Sequence, residues 1–269
     1  MNVKFTHYLI TRFNIPVNNW NKDKAGNPVL DDQWMQNRLE LFAGYCVPTI
    51  ANQSERNFIW RIYCDQQTRP PFLDEIRKLT AALPMVQLVL VSDFDHLLND
   101  LRELLAQVTT PFIITSRLDN DDGLGPHFIS DVQKHFVEED KRIINFTKGV
   151  LYDHHRGVLN EIRDSRRNHY GSLIEKVNNE GELITVVGYP HGIPPKDSSI
   201  DNVDTRFAWL KIIHERNMVS KTNGIPLLQE NIRAHFNLKE KAFKVSWWNT
   251  CWFVVRRLLS KIKRLIIPS

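Results

Sequence analysis

The sequence predicts an α/β protein: a mostly parallel sheet flanked by helices, with one amphipathic helix added at the C-terminus. Three observations carry this. Over the first ~150 residues, short β-branched runs alternate with segments of helical spacing, as in successive strand–helix–strand units. One run, Phe112-Ile113-Ile114-Thr115-Ser116-Arg117-Leu118, drives into Asp119-Asn120-Asp121-Asp122 and breaks at Gly123. From Trp248 onward, apolar residues recur at steps of three and four.

The elements follow in order. Residues 5–13 read as a first strand, and the polar stretch Asn18 to Pro28 as a loop. Asp31 and Asp32 precede Gln33–Tyr45, whose apolar spacing predicts a helix capped by an aspartate. Phe58–Cys64 is a second strand ending at Asp65, and Pro71–Leu83 a helix with proline at its start. Met85–Val91 is a third strand, His96–Gln107 a helix, and Pro111–Leu118 the fourth strand. Pro126–Glu139 reads as helical and Arg142–Phe146 as a strand. Lys148–Asp164 reads as a hairpin with Gly157 near its turn. Leu183–Val187 reads as a short strand before the Gly/Pro-rich loop 188–195, and Phe207–Val219 as a strand or a short helix.

At 269 residues and 42% hydrophobic content the chain suffices for one large core. No run reaches the roughly 18 apolar residues of a spanning helix. The chain opens into a strand without a basic region and apolar core of a secretion signal, so a cytoplasmic setting is expected, at most peripheral to the inner face of a membrane. Cys46, Cys64 and Cys251 are isolated, which predicts free thiols and no zinc or disulfide framework. The net charge of +4 is uneven. From Lys239 onward eight basic residues face only Glu240, so that segment carries +7 and residues 1–238 carry −3. The body is therefore not expected to bind nucleic acid. Two units are expected: residues 1–238 as the main α/β domain and 239–269 as a basic, aromatic helix.

The acidic turn is the chemical signal. Strands of α/β sheets end at the ligand-binding edge. Three carboxylates within four residues repel one another, and a cation is the simplest compensation. Hard oxygens favour Mg²⁺ or Mn²⁺, ions that bridge to diphosphate oxygens. Other readings are weaker. A solvated turn capping the next helix would use Asp122. An EF-hand needs an oxygen side chain where Gly123 stands, and an Asp-x-Asp-x-Thr phosphatase needs threonine there.

The order of these features resembles the nucleotide-sugar domain of GT-A-fold glycosyltransferases. Ile10-Thr11-Arg12-Phe13-Asn14, the strand ending Cys64-Asp65-Gln66-Gln67-Thr68, Arg117-Leu118-Asp119-Asn120-Asp121-Asp122, Ser172-Leu173-Ile174-Glu175 and Trp209-Leu210-Lys211-Ile212-Ile213-His214 together resemble the rhamnosyltransferase family over about residues 5–225. The resemblance implies a metal-dependent transferase moving a sugar, such as rhamnose, from a nucleoside-diphosphate donor to an acceptor hydroxyl. It implies that Asp65 accepts a hydrogen bond from the donor's base, with Thr11 and Arg12 near the nucleotide or diphosphate. Asp119 would contact the ribose or the metal, Asp121 would ligate the metal directly, and Asp122 would be a second ligand or acceptor contact. Arg117 would pair with the acids or the diphosphate. The acids available as the base are Glu175, Asp197, Asp201 and Asp204, with Glu175 the candidate, and His191 in its Gly/Pro-rich loop reads as a metal or diphosphate contact or as an idle loop histidine. His214, after an apolar Ile-Ile pair, reads equally as a core histidine.

In the tail, Trp248, Cys251, Trp252, Val255, Leu258, Leu259, Ile262, Leu265 and Ile266 share one helical face, and Arg256, Arg257, Lys261, Lys263 and Arg264 fall mainly off it. Such a helix suits a membrane interface, and an enzyme whose acceptor is an envelope or lipid-linked glycan. The rival reading of the tail is a helix docked on the domain. The rival reading of the chain is a non-catalytic, membrane-peripheral protein on a degenerate transferase scaffold.

Overall fold

The computed structural model describes residues 3–16, 30–163, 169–177, 183–190, 193–214, 222–227, 231–239, 241 and 243–266, with the side chains of the last helix described through Arg256 and at Leu259. His191, the expected loop contact, and the whole loop expected at Asn18–Pro28 lie outside these residues.

In chain order, the elements begin with β1 (Phe5–Arg12), α1 (Asp32–Leu41), a π-helical turn (Phe42–Cys46) and α2 (Val47–Ala51). Then come β2 (Ile59–Asp65), α3 (Pro70–Thr80), β3 (Val86–Val91), α4 (Phe94–Ala106), β4 (Phe112–Arg117), β5 (Gly123–Leu124) and α5 (Phe128–Lys134). The second half comprises β6 (Arg142–Phe146), β7 (Lys148–Asp153), β8 (Val158–Arg163), β9 (Ser172–Lys176), β10 (Ser199–Val203), β11 (Trp209–Ile213), β12 (Ile225–Pro226), α6 (Ile232–His235) and α7 (Trp247–Ile266).

Helices α1 and α4 each start at a capping aspartate. Asp31 accepts from the Trp34 amide at 2.7 Å, and Asp93 from the His96 amide at 2.8 Å. Helix α1 does not stop at Leu41 but widens by one residue. Val47 donates to the Phe42 carbonyl, five residues back, before α2 resumes. Pro48 accounts for this, because it has no N–H to give Gly44 and its ring crowds that carbonyl.

Seven strands form a central sheet in the order β10-β6-β9-β4-β1-β2-β3. All its pairings are parallel except those of β9, which runs against both β4 and β6. Five more strands form a second sheet, β12-β8-β7-β11-β5, in which only β7 and β11 pair in parallel. The expected mostly parallel architecture is thus corrected to a mixed α/β fold with two sheets. The reversal arises because β9 follows the β7–β8 hairpin and enters the central sheet from its ligand-binding edge. The hairpin itself turns at Gly157, whose φ of +62° an L side chain rarely adopts.

Strand alternation divides the core of the central sheet. Leu9, Trp60, Ile62 and Ile114 face one side with Phe42 and Ile76. Ile10, Tyr63, Ile113 and Leu173 face the other with Leu97, Leu101 and Leu105 of α4. A third cluster, with Tyr45, Val150, Tyr152, Leu210 and Phe236, fills the second sheet. Residues 183–190 form turns rather than the expected strand. Thr185 sits at φ +60°, and the N–H groups of Ile184 and Thr185 are taken by Glu175, which leaves no free edge to pair. Among the described residues no helix is long and apolar enough to cross a membrane.

Candidate active site

The chain leaves β1 for β2 and β3 on one side, then places β4 on the other side of β1. The crevice between the ends of β1 and β4 is therefore a topological switch point, where open α/β sheets bind ligands. Ile10 is in register with Arg117, and the Leu118 amide donates to the Ile10 carbonyl at 3.1 Å. This brings Arg12 beside Arg117 and the acidic turn.

The two arginines form a cationic pair. Burial lowers Arg12 to a pKa of about 10, Arg117 adds to the fall, and Asp119 offsets part of it. Arg12 lies 5.5 Å from the Phe94 ring centroid, and its Nε is buried without a hydrogen-bond partner. Arg117 is buried and donates through Nε to Asp119 Oδ1 at 3.2 Å. The Asp119 side chain is 39% exposed, the most open of the three acids.

The sequence makes the acids look equivalent; their partners make them different. Asp121 is buried and takes both Arg38 Nη1 of α1 and His214 Nε2, the latter at 2.9 Å, on one oxygen. Burial alone would raise its carboxyl, but Arg38 and His214 override this and hold it below the usual range. Arg38 also donates to Asn120 Oδ1 at 3.2 Å and lies 4.9 Å from the Trp34 ring centroid. Asn120 in turn donates to the Phe13 carbonyl at 2.7 Å, tying the turn to the end of β1.

Asp122 turns into the core. Its oxygens accept from the Tyr170 hydroxyl at 2.6 Å and the Ile212 amide at 2.8 Å. Burial, then the neighbouring Asp121 and Asp119, push its carboxyl well above the ordinary range. Tyr170 itself stacks on Trp209 at 4.8 Å. Asp122, expected as a second ligand or acceptor contact, thus has each oxygen in a hydrogen bond that ties the acidic turn to Tyr170 and to β11.

Glu175, the expected base, is engaged in the same way. It lies opposite Ile113, four residues before the end of β4, and is buried. It accepts the Ile184 amide at 2.6 Å and the Thr185 amide at 2.9 Å. Burial raises its pKa to about 7, against the pull of those two amides. Its two oxygens anchor the turn at Ile184 and Thr185. Thr11 is also committed inward, its hydroxyl accepting from Trp60 Nε1 at 2.9 Å. Asp65 stands at the end of β2, half-buried. Its Oδ1 accepts the Gln67 amide at 2.8 Å, and its own amide donates to Asn14.

Sequence reasoning missed Arg38 and undervalued His214. Arg38 lies four residues after Trp34 on a capped helix, a spacing that looks like ordinary surface packing. His214 follows β11 directly, so the strand-end rule that singled out the aspartates applies to it equally. Beside it, His154 donates its amide to the Ile213 carbonyl at 2.8 Å, and the Tyr45 hydroxyl lies 2.7 Å from His154 Nδ1.

Among the described residues, no three His, Cys, Asp or Glu side chains gather as a closed ligand set. What is present is an open pair, the Asp121 oxygen and the His214 nitrogen, both buried. A hard carboxylate oxygen with an imidazole suits a divalent ion that takes its remaining ligands from water and phosphate.

The chain matches the family model described as "Putative rhamnosyl transferase" over residues 6–225. No curated protein sequence matches it. Among solved structures it is similar to residues 1–349 of S. aureus TarS at 13% identity and a TM-score of 0.31, covering 55% of this chain and 35% of that one. The same S. aureus protein in complex with UDP-GlcNAc gives 8% identity and a TM-score of 0.43, covering 79% of this chain and 60% of the other. The chain thus spans less than two thirds of the length of these structures. The family match covers most of the chain, so the chain belongs to the family described as "Putative rhamnosyl transferase".

Proposed function

We propose that the protein is a glycosyltransferase that moves a sugar, rhamnose by its family's name, from a nucleoside-diphosphate donor to a hydroxyl of an envelope or lipid-linked glycan, with Mg²⁺ or Mn²⁺ as cofactor and as a peripheral protein at the inner face of a membrane. The observation that carries the reading is the Arg12–Arg117 pair at the β1/β4 switch point, with Arg12 Nε buried and unpartnered. The half-buried guanidinium of Arg12 and the buried one of Arg117 repel, and a diphosphate offers them both charge and paired acceptor oxygens.

The residues then divide the work. Arg12 and Arg117 bind the diphosphate and stabilise the charge that builds on it as the sugar–oxygen bond breaks. Asp65 accepts from the imide N–H of the base. Asp119, the exposed acid, takes the ribose hydroxyls. Asp121 and His214 would hold the metal, which when bound supplies further charge neutralisation on the leaving diphosphate. Arg38 occupies the same Asp121 oxygen and must yield or share it when a cation arrives. Asn120, Asp122 and Tyr170 fix the turn so that Asp121 and Asp119 present their oxygens to the crevice.

Thermal unfolding across a panel of nucleoside diphosphates and their sugars, with and without Mn²⁺ or Mg²⁺, tests this. A donor that binds only the folded chain raises the melting temperature by mass action. One nucleotide should stand out, and more strongly with metal. A flat response across the whole panel would sink the proposal and favour the non-catalytic scaffold.

A further inference from the structure

We infer that the outward face of α7 docks on an anionic lipid surface, and that this holds the mouth of the site against the surface carrying its acceptor. The second half rests on the transferase reading above; the docking does not.

The sequence left open whether the apolar stripe of α7 packs on the domain or faces away. It faces away. Trp248 is 87% exposed, Trp252 60%, Val255 43% and Leu259 57%, at steps of four, three and four along one side of the helix. Trp247 is 57% exposed, and Cys251 is exposed on the same face. The side turned inward carries Thr250, fully buried, with Phe253 and Val254 half-buried. A row of exposed indole and branched aliphatic groups is costly in water and suits the headgroup–acyl boundary, where tryptophan finds both an apolar bed and a polar partner.

Charge selects the occupant. The segment from Lys239 carries +7 while the rest of the chain carries −3. A second copy seated on this face would set +7 against +7. A nucleic acid backbone would answer the charge and leave the apolar stripe in water. Anionic lipid answers both.

The helix is also pinned beside the site. Ser246 donates its amide to the Gly157 carbonyl at 2.8 Å, and Asn249 Nδ2 donates to the Arg156 carbonyl at 2.6 Å, both on the β7–β8 turn. Tyr152 donates its hydroxyl to the Lys244 carbonyl at 2.9 Å. The same turn follows Asp153 and His154, and His154 is bonded to the residue before His214. A lipid surface touched by α7 therefore borders the end of the second sheet that contributes to the site.

The native thiol reads the contact. Cys46 and Cys64 are buried and burial raises their pKa, whereas Cys251 lies exposed between Trp248 and Trp252. Maleimide labelling of the full chain should slow severalfold on adding phosphatidylglycerol–phosphatidylcholine vesicles. Pure phosphatidylcholine should give much less protection. Salt at about 1 M, where screening acts within about 3 Å, should reverse part of the effect. The exposed-site variant W248A/W252A should lose vesicle co-sedimentation and keep its circular dichroism spectrum and nucleotide-induced thermal shift. Labelling unchanged by anionic vesicles, or protection that appears without lipid as the protein is concentrated, would overturn the docking and point to no partner or to a second copy. In either case a persisting nucleotide shift leaves the transferase reading intact. A vesicle response without any nucleotide shift would leave docking standing and remove the acceptor half.

Discussion

His214 Nε2 lies 2.9 Å from Asp121 Oδ2, and this contact joins the two sheets of the protein. Asp121 belongs to the turn after the central-sheet strand β4, and His214 follows β11 of the second sheet. The site is assembled only when both sheets are in place.

Asp121→Asn should therefore destabilise the metal-free protein. Charge clustering alone argues the opposite sign, since removing one of three acids relieves repulsion. The ion pair with Arg38, whose side chains are 12% and 10% exposed, reverses it. Removing one partner of such a buried pair costs about 3 kcal/mol. Urea unfolding at neutral pH measures this. The pH dependence follows from the depressed carboxyl of Asp121: its stabilisation is present above the ordinary carboxylate pKa and is lost as pH falls through the lower folded value. The variant should lack that acid-side loss, and equal midpoints for both proteins at pH 7 would refute the pairing.

Glu175→Gln should behave in the opposite sense. The Glu175 carboxyl rises from 4.5 to about 7 on folding, so the native state binds the extra proton. Wild-type stability should then fall as pH rises from 4.5 towards 7 and level off above it, by on the order of 3 kcal/mol if the whole shift is expressed. The variant should show a flatter profile over that window and retain donor binding. Loss of transfer with unchanged stability would restore Glu175 as a catalytic candidate.

Arg12→Ala should weaken binding of a nucleoside diphosphate by roughly ten- to a hundredfold, the loss of about 1.5–3 kcal/mol expected for a charge-assisted hydrogen bond. The free nucleoside should bind the variant and wild type alike. Calorimetry with both ligands separates the two, and an equal loss for each would place Arg12 away from the diphosphate.

Asp65→Ala should reduce nucleotide affinity by a similar factor without changing metal affinity. Its Oδ1 also holds the Gln67 amide, so Asp65→Asn provides a control that retains the turn. Equal nucleotide affinity in both variants and the wild type would remove the base contact.

The strands, the capped helices and the acidic turn were legible because their causes are local. A β-branched run, an aspartate before a helix and a glycine after a strand act within a few residues. What lay beyond the sequence was pairing. Nothing near Asp122 announces that Tyr170 and the Ile212 amide will consume it, and nothing near Glu175 announces the amides of Ile184 and Thr185. The run Leu183–Val187 is apolar enough for a strand, yet those same amides are diverted before a ladder can form. The direction of β9 was equally hidden, because it depends on where the preceding hairpin delivers the chain.

The widened turn at Phe42–Cys46 sets the angular phase of one long helical rod. Upstream of it Trp34 and Arg38 address the acidic turn; within it Phe42 packs on Phe13 and Trp60, while Tyr45 reaches across to His154. Each residue of an α-helix advances by about 100°, so excising one residue from the turn would swing everything after it by more than a quarter of a revolution. The rod works as a cam between the sheets, and its single surplus residue sets the timing.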